Sequence, residues 1–211
     1  MKNISFNQLH NQRKYFLNNN KAKDYAVVSG NNNIIISAPH GVHQTRDGKH
    51  KVAEIGSLAT ALYLQNKTQS FLIAKTQNNG DANYDKKSAY KQQLWDMAKK
   101  NQIKYVLDFH GLAAWREMDV NLGTNFGNNI QTNPALLKDL INLLEKSDFS
   151  VSVDIPFAGG EKTIAGHTKN KLKDVWTLQI EINSKITNDP QMIKRYNNLL
   201  QVLTQWINSL K

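Results

Sequence analysis

Four short apolar runs constrain the fold of this chain more than any other feature. They are III at 34–36, SFLIAKT at 70–76, IKYVLDF at 103–109 and VWTLQIEIN at 175–183. The first has no polar alternation, the pattern of a strand covered on both faces. Between the runs lie segments of helical period. Residues 52–64 place Ile55, Leu58, Ala59 and Leu62 on one face, and residues 86–101 read as a second helix. A helix is expected over 134–146 with proline in its first turn, and a long amphipathic helix over 190–210 closes the chain. MDVNLGT (118–124) and FSVSVDI (149–155) add two further strands. Strands alternating with helices predict an α/β three-layer sandwich, with a central mixed or largely parallel β-sheet flanked by helices. GNNN lies between the apolar runs DYAVVS and IIISAPHG, which predicts a β-hairpin. Residues 1–22 read as a polar arm with one helical turn.

The 211 residues suit one domain. There is no cysteine, hence neither a disulfide framework nor thiolate chemistry. No apolar run approaches the roughly 18–20 residues a membrane span requires. The stretch MKNISFNQLHNQRKYFL has no sustained apolar region behind its lysine, so no signal peptide is read there and a cytoplasmic location is expected. The net charge of +10 raises the alternative of a non-catalytic nucleic-acid-binding protein. The lysines are scattered, however, and no zinc-finger or RNP-type motif accompanies them. A basic field also suits a small anionic substrate. Phosphate-loop, dinucleotide-binding and serine-elbow signatures are absent.

In sheets of this class, sites form at the carboxyl ends of strands. Three such ends carry polar groups here. SAPHGVH brings His40 and His43, VLDFHG brings Asp108 and His110, and LQIEIN brings Gln179, Glu181 and Asn183. By the period of two, Val106, Asp108 and His110 share a face, and so do Thr177, Gln179 and Glu181. A carboxylate lodged between two isoleucines costs several kcal/mol unless it is paired or functional. Two histidines from separate strand ends plus a carboxylate form the ligand set of a catalytic zinc with an open position. Glu54, at the start of a helix, is the candidate carboxylate. His43 competes with it through the spacing His40-x-x-His43. Asp108 is placed to orient an imidazole.

The ordered pieces SAPHG, KVAEIG, GDANYD, VLDFHG and TLQIEIN resemble the N-formylglutamate amidohydrolase family, and more distantly the zinc carboxypeptidase-type phosphorylase/hydrolase fold. They span residues 34–185. The resemblance implies a single zinc-hydrolase-like catalytic domain over 1–211, holding one Zn2+ and hydrolysing an amide bond. It assigns His40, Glu54 and His110 as ligands and Glu181 as general base and acid.

The family commonly shows Asn-Arg where this chain has Asn83-Tyr84, and a tyrosine cannot clamp a carboxylate. Arg46 and Arg116, each following a matched motif, are the candidate replacements beside Asn83. The glycine-rich segment 156–171 reads as a lid loop, and its His167 as a substrate contact. The expected substrate is a small acylated amino acid; a metallopeptidase acting on a peptide or amide polymer is the alternative.

Overall fold

The computed structural model describes residues 3–210. Its elements begin with α1 (Phe6–Asn20), β1 (Tyr25–Val28), β2 (Ile34–Ala38), β3 (Gln44–Arg46) and β4 (Lys49–Lys51). There follow α2 (Ile55–Thr68), β5 (Phe71–Lys75), α3 (Ala89–Lys100), β6 (Tyr105–Leu112) and β7 (Val120–Gly123). The remainder is α4 (Ala135–Glu145), β8 (Val151–Val153), α5 (Ile164–Lys171), β9 (Trp176–Asn183), α6 (Ser184–Asn188) and α7 (Ile193–Ser209).

The main sheet has seven strands in the order β1-β5-β2-β6-β9-β7-β8. Strands β5, β2, β6 and β9 run parallel, while β1 and β7 pair antiparallel with β5 and β9. The expected mixed sheet is therefore present, and its layers follow from the period of two. Ile34, Ile36, Leu107, Phe109, Leu178 and Ile180 pack against α2, α4 and α7. Ile35, Ile73 and Val106 face the other way, against Tyr90, Leu94, Met97 and Ala98 of α3 and Ile164 of α5. Both faces are covered, which explains why the central strands lack polar alternation. No helix among the described residues is long and apolar enough to cross a membrane.

Three local expectations are corrected. The runs on either side of GNNN do not form a hairpin; β1 and β2 lie on opposite sides of β5. The Asn-rich turn instead carries the chain over the start of β5, where Asn31 N–H donates to Gln69 O and Asn32 to Thr68 O. Gly30 permits the crossing, since a Cβ there would meet Phe71 N at 2.4 Å. Secondly, where a polar arm with one helical turn is expected, α1 runs for 15 residues. Ser5 and Gln8 form a reciprocal capping box, and Leu9 is fully buried. Thirdly, half of the expected lid loop is helical: Thr163 caps the start of α5 by accepting from Gly166 N. The segment after the first histidine motif also forms a small hairpin, β3–β4, that periodicity did not indicate.

Candidate metal centre and active site

Parallel strands β2, β6 and β9 are neighbours, so their carboxyl ends deliver side chains to one place. His40 follows β2, His110 lies in β6, and Glu181 is the Cα partner of His110 on β9. Glu54 stands at the N-cap position of α2 but makes no capping bond. Its carboxylate turns inward instead. Oε1 lies 2.8 Å from His40 Nδ1, and Oε2 lies 3.3 Å from His110 Nδ1. Oε2 also accepts from Gly111 N at 2.8 Å. Gly111 makes room for this approach, because a Cβ there would stand 3.0 Å from Glu54 Cβ. The two Nδ1 atoms are 3.1 Å apart.

The far side of each ring meets another acid. His40 Nε2 is 2.8 Å from Asp81 Oδ1, and His110 Nε2 is 2.9 Å from Asp108 Oδ2. A carboxylate only accepts, so each Nε2 carries a proton and each Nδ1 is left to face Glu54. Both acids are themselves held. Arg46 donates to Asp81 Oδ2 at 2.7 Å, and Ser37 donates to Asp108 Oδ1 at 2.7 Å.

Burial opposes charge on His40, yet the Glu54 carboxylate and the hydrogen bonds of Asp81 and Glu54 push its pKa up to about 9. Burial acts likewise on His110, and Asp108 and Glu54 together raise it well above the ordinary value. Burial works against ionisation of Glu54 and Asp81, but the neighbouring imidazoles hold both below the usual carboxylate range. Glu181 behaves oppositely: it is 6% exposed and burial pushes it up to about 8. Two kinds of carboxylate thus share one site, one kept ionised and one able to hold a proton.

One potential ligand atom from each of His40, Glu54 and His110 lies within 4.8 Å of the others. Two imidazole nitrogens, a carboxylate and carboxylates behind both rings fit a divalent ion of the zinc type. His43 is outside this group. It is exposed, its Nδ1 accepts from Ala53 N, and its ring stacks on His50.

The group opens into a cavity of about 300 Å³ that also carries Glu181, Gln179, Asn83, Tyr84 and Phe157. Cations Arg46, Lys51 and Lys162 line it too. Gln179 donates to Glu181 Oε1 at 3.0 Å, which leaves its own Oε1 buried without a partner. Arg46 and Lys162 both stand over the Tyr84 ring, at 4.9 and 5.7 Å.

Two residues expected here lie elsewhere. Arg116 does not line the cavity; its guanidinium stands over the rings of Trp115 at 4.5 Å and of the lining residue Phe157 at 5.3 Å. His167 is carried away by α5 and packs edge-on against Trp95 of α3. Conversely, Asp81, Lys51, Lys162 and Gln179 had no assigned role. Asp81 lies inside the quoted motif GDANYD, but only the fold shows that it reaches His40.

The family model for N-formylglutamate amidohydrolase matches residues 87–187, the stretch that carries both VLDFHG and LQIEIN. The resemblance seen in the sequence motifs is therefore found independently over that stretch. No curated protein matches the chain. Among solved structures, the N-formylglutamate amidohydrolase of Ralstonia eutropha JMP134 superposes with a TM-score of 0.55 at 14% identity, covering 89% of this chain and 99% of that one. The zinc-free apo form of YndL gives 0.57 at 20%, covering 92% and 94%. A bacteriophage poly-γ-glutamate hydrolase gives 0.55 at 14%, covering 88% and 87%. At such identities the likeness establishes the fold.

Proposed function

We propose that this chain is a zinc-dependent amidohydrolase that cleaves the amide bond of a small N-acyl amino acid of the N-formylglutamate kind. One zinc ion per chain would be held by His40, Glu54 and His110. The observation that carries this reading is the pairing of that donor set with Glu181, one strand away and in register with His110. The family match over residues 87–187 supports it. When bound, the ion supplies Lewis acidity, polarising a carbonyl and making a water acidic near neutral pH.

The chain's own groups do the rest. Glu181 takes a proton from the attacking water and returns it to the leaving nitrogen, a task suited to a carboxyl held near about 8. Gln179 fixes one oxygen of that carboxyl, and its free Oε1 is an acceptor for a substrate N–H. Asp81 and Asp108 hold the two imidazoles in one tautomer and orientation. Arg46, with Asn83, lines the wall where a substrate carboxylate would dock.

Tyr84 favours a second reading, hydrolysis of a peptide or anionic amide polymer, because it replaces the arginine that would clamp a single small carboxylate. A panel of N-formyl-L-glutamate, other N-acyl amino acids, short peptides and poly-γ-glutamate separates the two. Chelator-sensitive turnover of the N-acyl amino acids supports the first reading. Turnover of peptides or polymer alone replaces it with the second.

A further inference from the structure

Lys91 is a fully buried ammonium side chain that the proposed chemistry does not use. It sits in the first turn of α3, where the helix dipole disfavours a cation, and it is 1% exposed. Burying an ammonium group is tolerated only when its donors are satisfied. All three are, by backbone carbonyls: Asp85 O at 2.8 Å, Lys162 O at 3.1 Å and Asn83 O at 3.3 Å. Two of these acceptors belong to the loop after β5 and one to the strap that precedes α5. A second link joins the same segments, with Ile164 N donating to Asn83 Oδ1 at 2.7 Å.

Both segments line the cavity, through Asn83 and Tyr84 on one and Lys162 and Thr163 on the other. We propose that Lys91 is a positioning residue whose ammonium group pins these two loops together and so fixes how Tyr84 and Lys162 are presented to substrate. Burial lowers its pKa to about 8, against the opposing charges of Asp108, Asp85 and Asp81, which leaves it mainly charged at neutral pH. A methionine would fill the same channel and suit the burial, but it has no N–H to offer three carbonyls.

The test combines Lys91→Met and Lys91→Ala. In Lys91→Met, amide hydrogen exchange should quicken by roughly tenfold or more over 81–85 and 160–164 and stay unchanged in β6 and β9. Zinc content at saturating metal should remain that of the wild type, since His40, Glu54 and His110 lie outside both loops. The KM for N-formyl-L-glutamate should rise by about tenfold with kcat within roughly twofold. In Lys91→Ala, ethylammonium should restore KM, and tetramethylammonium, which lacks N–H groups, should not.

Unchanged exchange in both loops overturns the proposal. So does acceleration shared equally by β6 and β9, which would make Lys91 a support of the whole core. If Lys91→Met does not fold, the alkylammonium titration of Lys91→Ala decides, and no selective restoration counts against the clamp. The kinetic arm rests on the proposed reaction, whereas the exchange arm does not. A wild type inert toward every N-acyl amino acid would therefore remove the reaction and leave the clamp to be judged by exchange.

Discussion

His40 and His110 bring their Nδ1 atoms to 3.1 Å from one another, and each ring's Nε2 ends on its own buried acid, Asp81 for one and Asp108 for the other. Such acids fix the tautomer and orientation of a ligating ring. Asp81→Asn and Asp108→Asn should each lower zinc affinity by about 10–100-fold, read by competition with a chromophoric chelator. Unaltered affinity in both variants would show that the rings need no such support.

Removal of a donor and removal of the proton carrier should have separable effects. His110→Ala should lose the metal. Glu181→Gln should keep it, yet lose about 10²–10⁴-fold in kcat. Metal analysis beside single-turnover kinetics distinguishes them. Near-normal turnover in Glu181→Gln would take Glu181 out of the reaction.

Metal uptake should be strongly pH-dependent. In the metal-free protein the Glu54 carboxylate and the acids behind the rings push the imidazole of His40 up to about 9 and raise that of His110, so these rings hold protons that a metal ion competes with. A zinc ion must displace these protons, and its apparent affinity should climb with pH until about 9. Calorimetry in two buffers of different ionisation enthalpy measures the release; the absence of any release contradicts the protonation state. The same shifts bear on stability. A raised folded-state pKa gives stability that is complete below the unfolded value, about 6.5 for histidine, and is lost as pH passes the folded value. The Tm of metal-free protein should therefore fall between about pH 6.5 and 9, and zinc, by displacing the histidine protons, should make the fall smaller.

A stability test lies one layer below the site. Tyr90 is fully buried; its hydroxyl accepts from Ala38 N at 3.1 Å and donates to Ile73 O at 2.8 Å, beside the Ser37 that holds Asp108. Tyr90→Phe removes the buried hydrogen bonds of this hydroxyl to Ala38 N, Ile73 O and Ser37 Oγ and should cost about 1–3 kcal/mol in denaturant unfolding. A variant as stable as the wild type would mean that those groups find other partners.

The sheet and the centre were legible in sequence for one reason: side-chain alternation along a strand is fixed by the backbone. It places Asp108 with His110, and Gln179 with Glu181, from the sequence alone. The family resemblance added the ligand set, and the geometry brings His40, Glu54 and His110 together. What alternation cannot encode is which strands become neighbours, so the pattern around GNNN suits a β1–β2 hairpin although the chain passes over β5 and sets the two strands on either side of it. Nor can it say where a loop side chain ends. Asp81 meeting His40, Lys162 reaching Tyr84 and His167 turning toward Trp95 all depend on how the segments after β5 and before α5 dock. The capping box at Ser5 and Gln8 was readable as a helix start, but α1 is so polar that its pattern resembled an arm; the single buried Leu9 and the contact with α2 complete it.

The most direct measurement is the metal content of wild-type protein and of His110→Ala after equilibration with zinc and removal of the excess. The expected result is one zinc ion per chain in the wild type, withdrawn by chelator together with all amidase activity, and none in His110→Ala. A wild type that retains no metal, or a variant that binds as much as the wild type, would contradict a centre built from His40, Glu54 and His110.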